Sequence, residues 1–340
     1  TLTLNNTIDG TTANEDALTI TGNAVLGGIV GGSTPLEFLT ISGTSSLNGG
    51  NITTAGIQTF TGAATLGADA ILTGTNVTFD DTLSGGFNLT VTASGQTLFD
   101  ATVGTLASLT TDVDGTVIFN GDVTTTGVQS FGDTVTLNTG VTFDSTSEAD
   151  ITFDGTINGA QTLTVNTSGN TTFNNVLGGS VNLTSLATDA GGTTHVNGDI
   201  TTTGNQTFGD AVLLESASTL NATNLTFDST LDGNQNLTIT ASGTTRFNGA
   251  VGDGTRLSSL NITDGSTAIA GLNVRTNNAQ TYEGPVSLNG DTLLEGTTLT
   301  LNSTIDGTTA NQDALTITGD VVLGGIVGGT TPLEFLTVSG

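Results

Sequence analysis

The chain has no cysteine, methionine or tryptophan, and only one tyrosine, one histidine and three prolines in 340 residues. Without cysteine there is no disulfide framework, thiolate metal site or thiol nucleophile, and the redox compartment cannot be read. Lys and Arg total 3 against 31 Asp and Glu, for a net charge of -28. The three cations are Arg246, Arg256 and Arg275. Three cations cannot neutralise a phosphate backbone, so the expected partners include no nucleic acid. The same charge repels anionic membranes and acidic partners. One His and one Tyr leave few options for acid–base catalysis. No apolar run approaches the ~18 residues of a spanning helix, so no membrane insertion is expected of this segment. No secretory leader pattern is visible, and the sequence does not begin with Met.

What is abundant is Thr and Gly, at 75 and 49 residues. Low aromatic content (4%) and high net charge would suit a disordered chain, but charged residues are only 10% of the total. The apolar residues also alternate with Thr, Asn and Ser, as in Leu89-Thr90-Val91-Thr92. That is a strand pattern with Leu89 and Val91 on one side.

Residues 1–43 and 298–340 align without gaps at an offset of 297 and differ at six positions, leaving 43 − 6 = 37 identities. Four sub-repeats divide the 297. A Gln–Thr/Ser–aromatic triplet recurs at Gln58-Thr59-Phe60, Gln129-Ser130-Phe131, Gln206-Thr207-Phe208 and Gln280-Thr281-Tyr282. Its aromatic positions lie 71, 77 and 74 residues apart. A second set reads Phe79-Asp80, Phe153-Asp154, Phe227-Asp228 and Leu301-Asn302. The sub-repeats are read as 48–119, 120–196 and 197–270, with partial ones at 1–47 and 271–340. The text starts and stops in mid-pattern, which implies an excerpt from a longer tandem array.

Short strands of about 4–6 residues punctuated by Gly, Asn-Gly and Asp-Gly predict an all-β fold. Two architectures compete. Tandem Ig-like sandwiches need a wide core with large aromatics. A solenoid core is narrow and filled by Leu, Val, Ile and an occasional Phe. The composition favours one continuous parallel β-solenoid over 1–340, a rod, right-handed by the crossover rule. Four rungs per sub-repeat would make each rung about 18–19 residues.

The segments 197–208 (NGDITTTGNQTF), 225–240 (LTFDSTLDGNQNLTIT) and 324–340 (GGIVGGTTPLEFLTVSG) resemble the β-strand repeats of giant bacterial exoproteins. These are of the filamentous-haemagglutinin and autotransporter-passenger type, and the resemblance covers essentially the whole chain. It implies an extracellular, cell-surface location and a role in adhesion, matrix or filament formation. It carries over no catalytic residue.

Asp80, Asp154 and Asp228 share a position in successive sub-repeats, and Asp112-Val113-Asp114-Gly115 has a calcium-loop look. These five carboxylates are the calcium candidates, and Asp122, Asp133, Asp199 and Asp210, which lie in Gly-Asp pairs, come under the same reading. The simpler reading is corner Asp accepting backbone N–H bonds, since Asn302 replaces the Asp in one copy. No other cofactor is expected. His195 aligns with Leu47, Ile118 and Ile269 and reads as a substitution in an apolar position, and the three Arg as local partners of nearby acids. Thr-x-Thr pairs such as Thr1/Thr3, Thr90/Thr92 and Thr298/Thr300 could bind ice only if present on nearly every rung, and they are uneven. The insertion at 144–152 reads as an extra loop. No polar cluster breaks the repeat as an enzyme would require. The expected function is therefore a stiff structural spacer in a long surface protein, with self-association end to end or laterally. The alternative is a multivalent adhesin of tandem sandwiches contacting glycans or a calcium-dependent surface.

Overall fold

The computed structural model describes residues 1–340 and contains no helix. Every strand pairing described is parallel, and the chain is a β-solenoid. It forms two compact units, 1–170 and 171–340. The division falls inside the 120–196 sub-repeat rather than at a repeat boundary.

In the first unit each rung contributes one short strand to each of three sheets. The first sheet runs through Leu39–Ile41, Gln58–Phe60, Val77–Phe79, Gln96–Phe99 and Thr116–Phe119. The second runs through Ser45–Leu47, Ala64–Leu66, Leu83–Ser84 and Val103–Leu106. The third runs through Ala70–Gly74, Asn88–Ala93, Ser108–Thr111, Gln129–Phe131 and Ile151–Phe153. The strands are short because the chain turns a corner after each one. At three equivalent corners, Gly85, Gly159 and Gly233 hold φ near +125 to +132°, and an added Cβ would press on the carbonyl oxygens of Leu66, Leu137 and Leu214. Only glycine takes that conformation without strain.

Alternation decides what is inside. Along Asn88–Ala93, Leu89, Val91 and Ala93 are buried while Thr90 and Thr92 are half-buried on the outer side. The inward side chains stack rung on rung. Phe60, Phe79, Phe99 and Phe119 form one file, with ring centroids 4.9, 5.5 and 5.2 Å apart and nearly parallel planes. In the second unit Phe208, Phe227 and Phe247 do the same at 5.3 and 5.5 Å. Offset stacking lets a narrow core hold large rings at the rung spacing.

The rung is longer than four per sub-repeat would allow. Register partners in the first sheet run Gln58, Val77, Thr97, Val117, Val135 and Ile157, in steps of 19, 20, 20, 18 and 22 residues. The strand Gln129–Phe131 is the eleventh after Gln58–Phe60. Eleven strands at three per rung make three and two-thirds rungs, not four. The second unit repeats this. Eight named strand steps separate Gln206–Phe208 from Gln280–Tyr282. Asn236–Phe247 and Ser259–Ile269 each turn a corner and count twice, and a single-residue bridge at Val251 adds one, so 8 + 2 + 1 = 11.

Candidate functional site

The most regular side-chain construction is internal. Gln58, Gln129, Gln206 and Gln280 are all buried. Each Nε2 donates across a corner to a backbone carbonyl fifteen residues ahead: Thr73 (2.9 Å), Asp144 (2.9 Å), Asn221 (2.8 Å) and Glu295 (2.8 Å). Three of them also reach back, to Ile52 (3.2 Å), Ile200 (3.2 Å) and Val274 (2.9 Å). The triplet is thus a corner brace: the carbonyls of Thr73, Asn221 and Glu295 already accept the N–H groups of Thr54, Thr202 and Thr276, and the Gln amide adds a second bond that ties the corner to its neighbour. The Oε1 atoms of Gln58, Gln129 and Gln206 have no donor. Gln280 differs, because the hydroxyl of Tyr282, the chain's only tyrosine, donates to its Oε1 at 2.8 Å. Complete burial raises the hydroxyl's pKa, so it stays a donor. Tyr282→Phe should therefore cost about 1–1.5 kcal/mol, and Phe208→Tyr, beside Gln206, should gain about 1 kcal/mol. Urea denaturation of both variants checks the pair, and the same sign of change in both would contradict the pairing.

Because eleven is not a multiple of three, successive sub-repeats present equivalent residues on different sheets. Gln58 lies in the first sheet of its unit and Gln129 in the third. In the second unit Gln206 is in register with Leu186 and Leu225, whereas Gln280 is in register with Leu260 and Leu299. The calcium candidates follow the same rule. Asp80 follows a first-sheet strand and Asp154 a third-sheet strand, so these two do not share a spatial file. Asp228, in the second unit, accepts from Asn248 Nδ2 at 2.7 Å. The neighbour of Asp80 on the next rung, Asp100, accepts from Asn120 Nδ2. Asp112 Oδ1 lies 3.3 Å from the Ala93 N–H, and Asp114 is exposed in the adjoining turn. No three His, Asp or Glu side chains converge as a metal-chelating group.

Other carboxylates anchor loops. Asp9 accepts the N–H groups of Ser33 and Thr34, and in the copy Asp306 accepts those of Thr330 and Thr331. Asp16 accepts the N–H groups of Thr11 and Thr12, and Asp313 those of Thr308 and Thr309. Backbone N–H bonds from Ser33 and Thr34 lower the pKa of Asp9, and bonds from Thr12 and Thr11 lower that of Asp16. Burial pushes the Asp313 pKa up, but N–H groups of Thr309, Gly290 and Thr308 outweigh it, so the net shift is down.

Two carboxylates behave differently, and sequence reading missed the burial of both. Asp133 and Asp210 are equivalent residues, 1% and 3% exposed. Asp210 accepts hydroxyl bonds from Thr188 (2.9 Å) and Thr194 (2.7 Å). Asp133 has Val117 where Asp210 has Thr194, and neither of its oxygens has a donor. Burial, then the charge of Asp112, push Asp133 up to about 6; the Thr111 hydroxyl, close by but outside hydrogen-bond geometry, pulls the other way. Burial likewise raises Asp210, against the pull of Thr194 and Thr188. The available signal was the pair Phe131-Gly132-Asp133 and Phe208-Gly209-Asp210, set against Phe60-Thr61-Gly62 and Tyr282-Glu283-Gly284. Asp stands there at positions that are otherwise Gly.

These shifts fix the sign of the pH dependence. A carboxyl whose folded pKa is raised binds its proton more tightly when folded. Its contribution is full below 3.8 and is lost as pH rises through about 6 for Asp133. The lowered groups Asp9, Asp16 and Asp313 contribute above 3.8 and lose that contribution as pH falls through their folded values. Thermal unfolding in chelator should show a stability maximum at mildly acidic pH. A melting temperature that climbs steadily from pH 5 to 8 would contradict the assignment.

The basic residues resolve into one network and one free side chain. Arg256 Nη2 meets Glu295 Oε1 at 2.6 Å, and Arg275 Nε meets Glu295 Oε2 at 3.2 Å. Arg275 Nη1 also pairs with Asp253. The acidic partners break the repeat together with their bases, since Glu295 and Arg275 stand where Thr73 and Thr53 stand in an earlier sub-repeat. Arg246 is exposed and has no ion pair, so local pairing holds for two Arg of three. His195 is not in the inward file. It lies on the outer side of Thr193–Val196, half-buried, with Nδ1 2.9 Å from Glu215 Oε1. The insertion is a turn at 146–149 between Val141–Ser145 and Ile151–Phe153. Outward threonines form single files such as Thr19, Thr40, Thr59 and Thr78, after which Leu98 and Ile118 follow in register.

No known protein family, curated protein or solved structure matches the chain.

Proposed function

We propose that the chain is a structural segment of a long, repetitive, extracellular surface protein, in which it acts as a stiff spacer for adhesion, matrix or fibre formation. One observation carries this reading: the eleven-strand sub-repeat laid on a three-strand rung. A repeat selected to present a binding residue would keep that residue on one face. Here equivalent residues move to another sheet with each sub-repeat, while inward alternation and the Gln brace hold. What the repeats preserve is the ability of one rung to stack on the next, so added copies add length. The partners proposed are copies of the same chain, and no catalytic residue or cofactor is assigned. The resemblance to giant bacterial exoproteins supports the surface location.

Cryo-EM of the native material tests the reading. A strong layer line near ~4.8 Å along the long axis is expected for strands lying across it. Beads spaced by the sub-repeat length would overturn the spacer and favour a flexible, multivalent binding chain.

A further inference from the structure

The buried carboxylate of Asp133 stands out from every other acid in the chain. Both its oxygens are enclosed and lack a donor, and the Thr111 hydroxyl beside it is likewise buried without a partner. Its Oδ1 lies 3.2 Å from where a Cβ on Gly115 would be, so the carboxylate is aimed at the Asp112–Gly115 turn. Carbonyl oxygens of Gly95 and Ala93 crowd the same point. Asp112 and Asp114 are the charged groups that act on it. No lysine or arginine occurs in residues 1–170 to balance these three acids. The equivalent Asp210 is satisfied by two threonine hydroxyls, and one of those threonines is Val117 at the Asp133 corner.

We propose that this corner binds one divalent cation of calcium's class. Because no three acidic side chains converge, the ligand set is mixed. Asp133 supplies the inner carboxylate and Thr111 a hydroxyl oxygen, while Asp112 and Asp114 supply charge from the turn, directly or through water. Calcium accepts such sets of carboxylate, hydroxyl, carbonyl and water oxygens, and sites with few carboxylates bind weakly. Asp80, Asp154 and Asp228 take no part. The proposal does not rest on the spacer reading.

Thermal unfolding of the full chain at neutral pH tests it, in chelator, in millimolar calcium and in equal magnesium. Calcium should raise the wild-type melting temperature by about 2–4 °C, and magnesium by less. Asp133→Asn should be more stable than wild type in chelator and lose the calcium response. Asp210→Asn, at the equivalent corner, should keep that response. Val117→Thr adds a hydroxyl donor without removing charge, so it should weaken calcium binding measured by titration calorimetry. Equal calcium responses in wild type and Asp133→Asn would overturn the site, leaving only diffuse screening of an acidic surface. No response in either would overturn it too, leaving a proton as the partner of the carboxyl.

Discussion

Phe153→Asp should unfold the rungs around it, with a loss of about 5 kcal/mol or more. Phe153 is 0% exposed and packs between Phe131 and Phe143, each with its ring centroid 5.1 Å away. Truncating a buried Phe already costs about 3–5 kcal/mol through lost contacts and the cavity left behind. Asp adds a carboxylate with no counter-charge, since residues 1–170 contain no lysine or arginine. A protonated Asp at that position would still leave two oxygens without donors. Limited proteolysis and circular dichroism read the result. Digestion and spectrum like those of wild type would mean that Phe153 does not point inward.

Gly284→Ala should cost about 3 kcal/mol although it adds a single methyl group. Gly284 turns the corner between Gln280–Tyr282 and Val286–Leu288. A Cβ there would penetrate the carbonyl oxygen of Gly265 on the rung beneath. That obstacle is backbone, held at a φ of +64° and built into the ladder by the Ser266 and Thr267 pairings, so it cannot rotate away as a side chain could. The rungs would have to separate locally and lose parallel hydrogen bonds on either side. Gly104→Ala is the control. Its added Cβ would meet nothing within 4 Å, and its φ is not left-handed, so it should be close to neutral. Equal melting temperatures for the two variants would show that close stacking at the glycine corner does not limit the fold.

Much of the solenoid was legible because its cause is local. Leu-Thr-Val alternation sorts inward from outward residues before any partner is known, and Gly and Asn-Gly mark the corners. The Gln triplet was visible as a repeat, but its job was not. Bracing a corner requires a carbonyl fifteen residues ahead to be nearby, and only the winding places it there. His195 misled for a related reason: a gapless count back from the Gln triplets groups inward Leu47 and Ile269 with outward Ile118 and His195, because the pleat shifts by one residue between sub-repeats and one residue reverses the face. The burial of Asp133 and Asp210 was hidden because Gly-Asp reads as an exposed turn wherever it occurs.

The sequence by itself determined that the chain is all-β, that its strands are short and one-sided, and that it is built from sub-repeats of 71, 77 and 74 residues. It could not determine how those sub-repeats fall on the rungs. A rung closes after three strands because corner geometry and the width of the Phe-filled core set its circumference, and neither depends on the repeat. Eleven strands therefore end two-thirds of the way round, and matching residues face different ways. Burial depends on stacking in the same way. Leu39 is 0% exposed beneath the next rung, while its copy Leu336 is 40% exposed. The residue and its neighbours in sequence are the same at both places, and the difference is whether another rung lies against it, because an apolar face on one strand layer leaves water only when a second layer covers it.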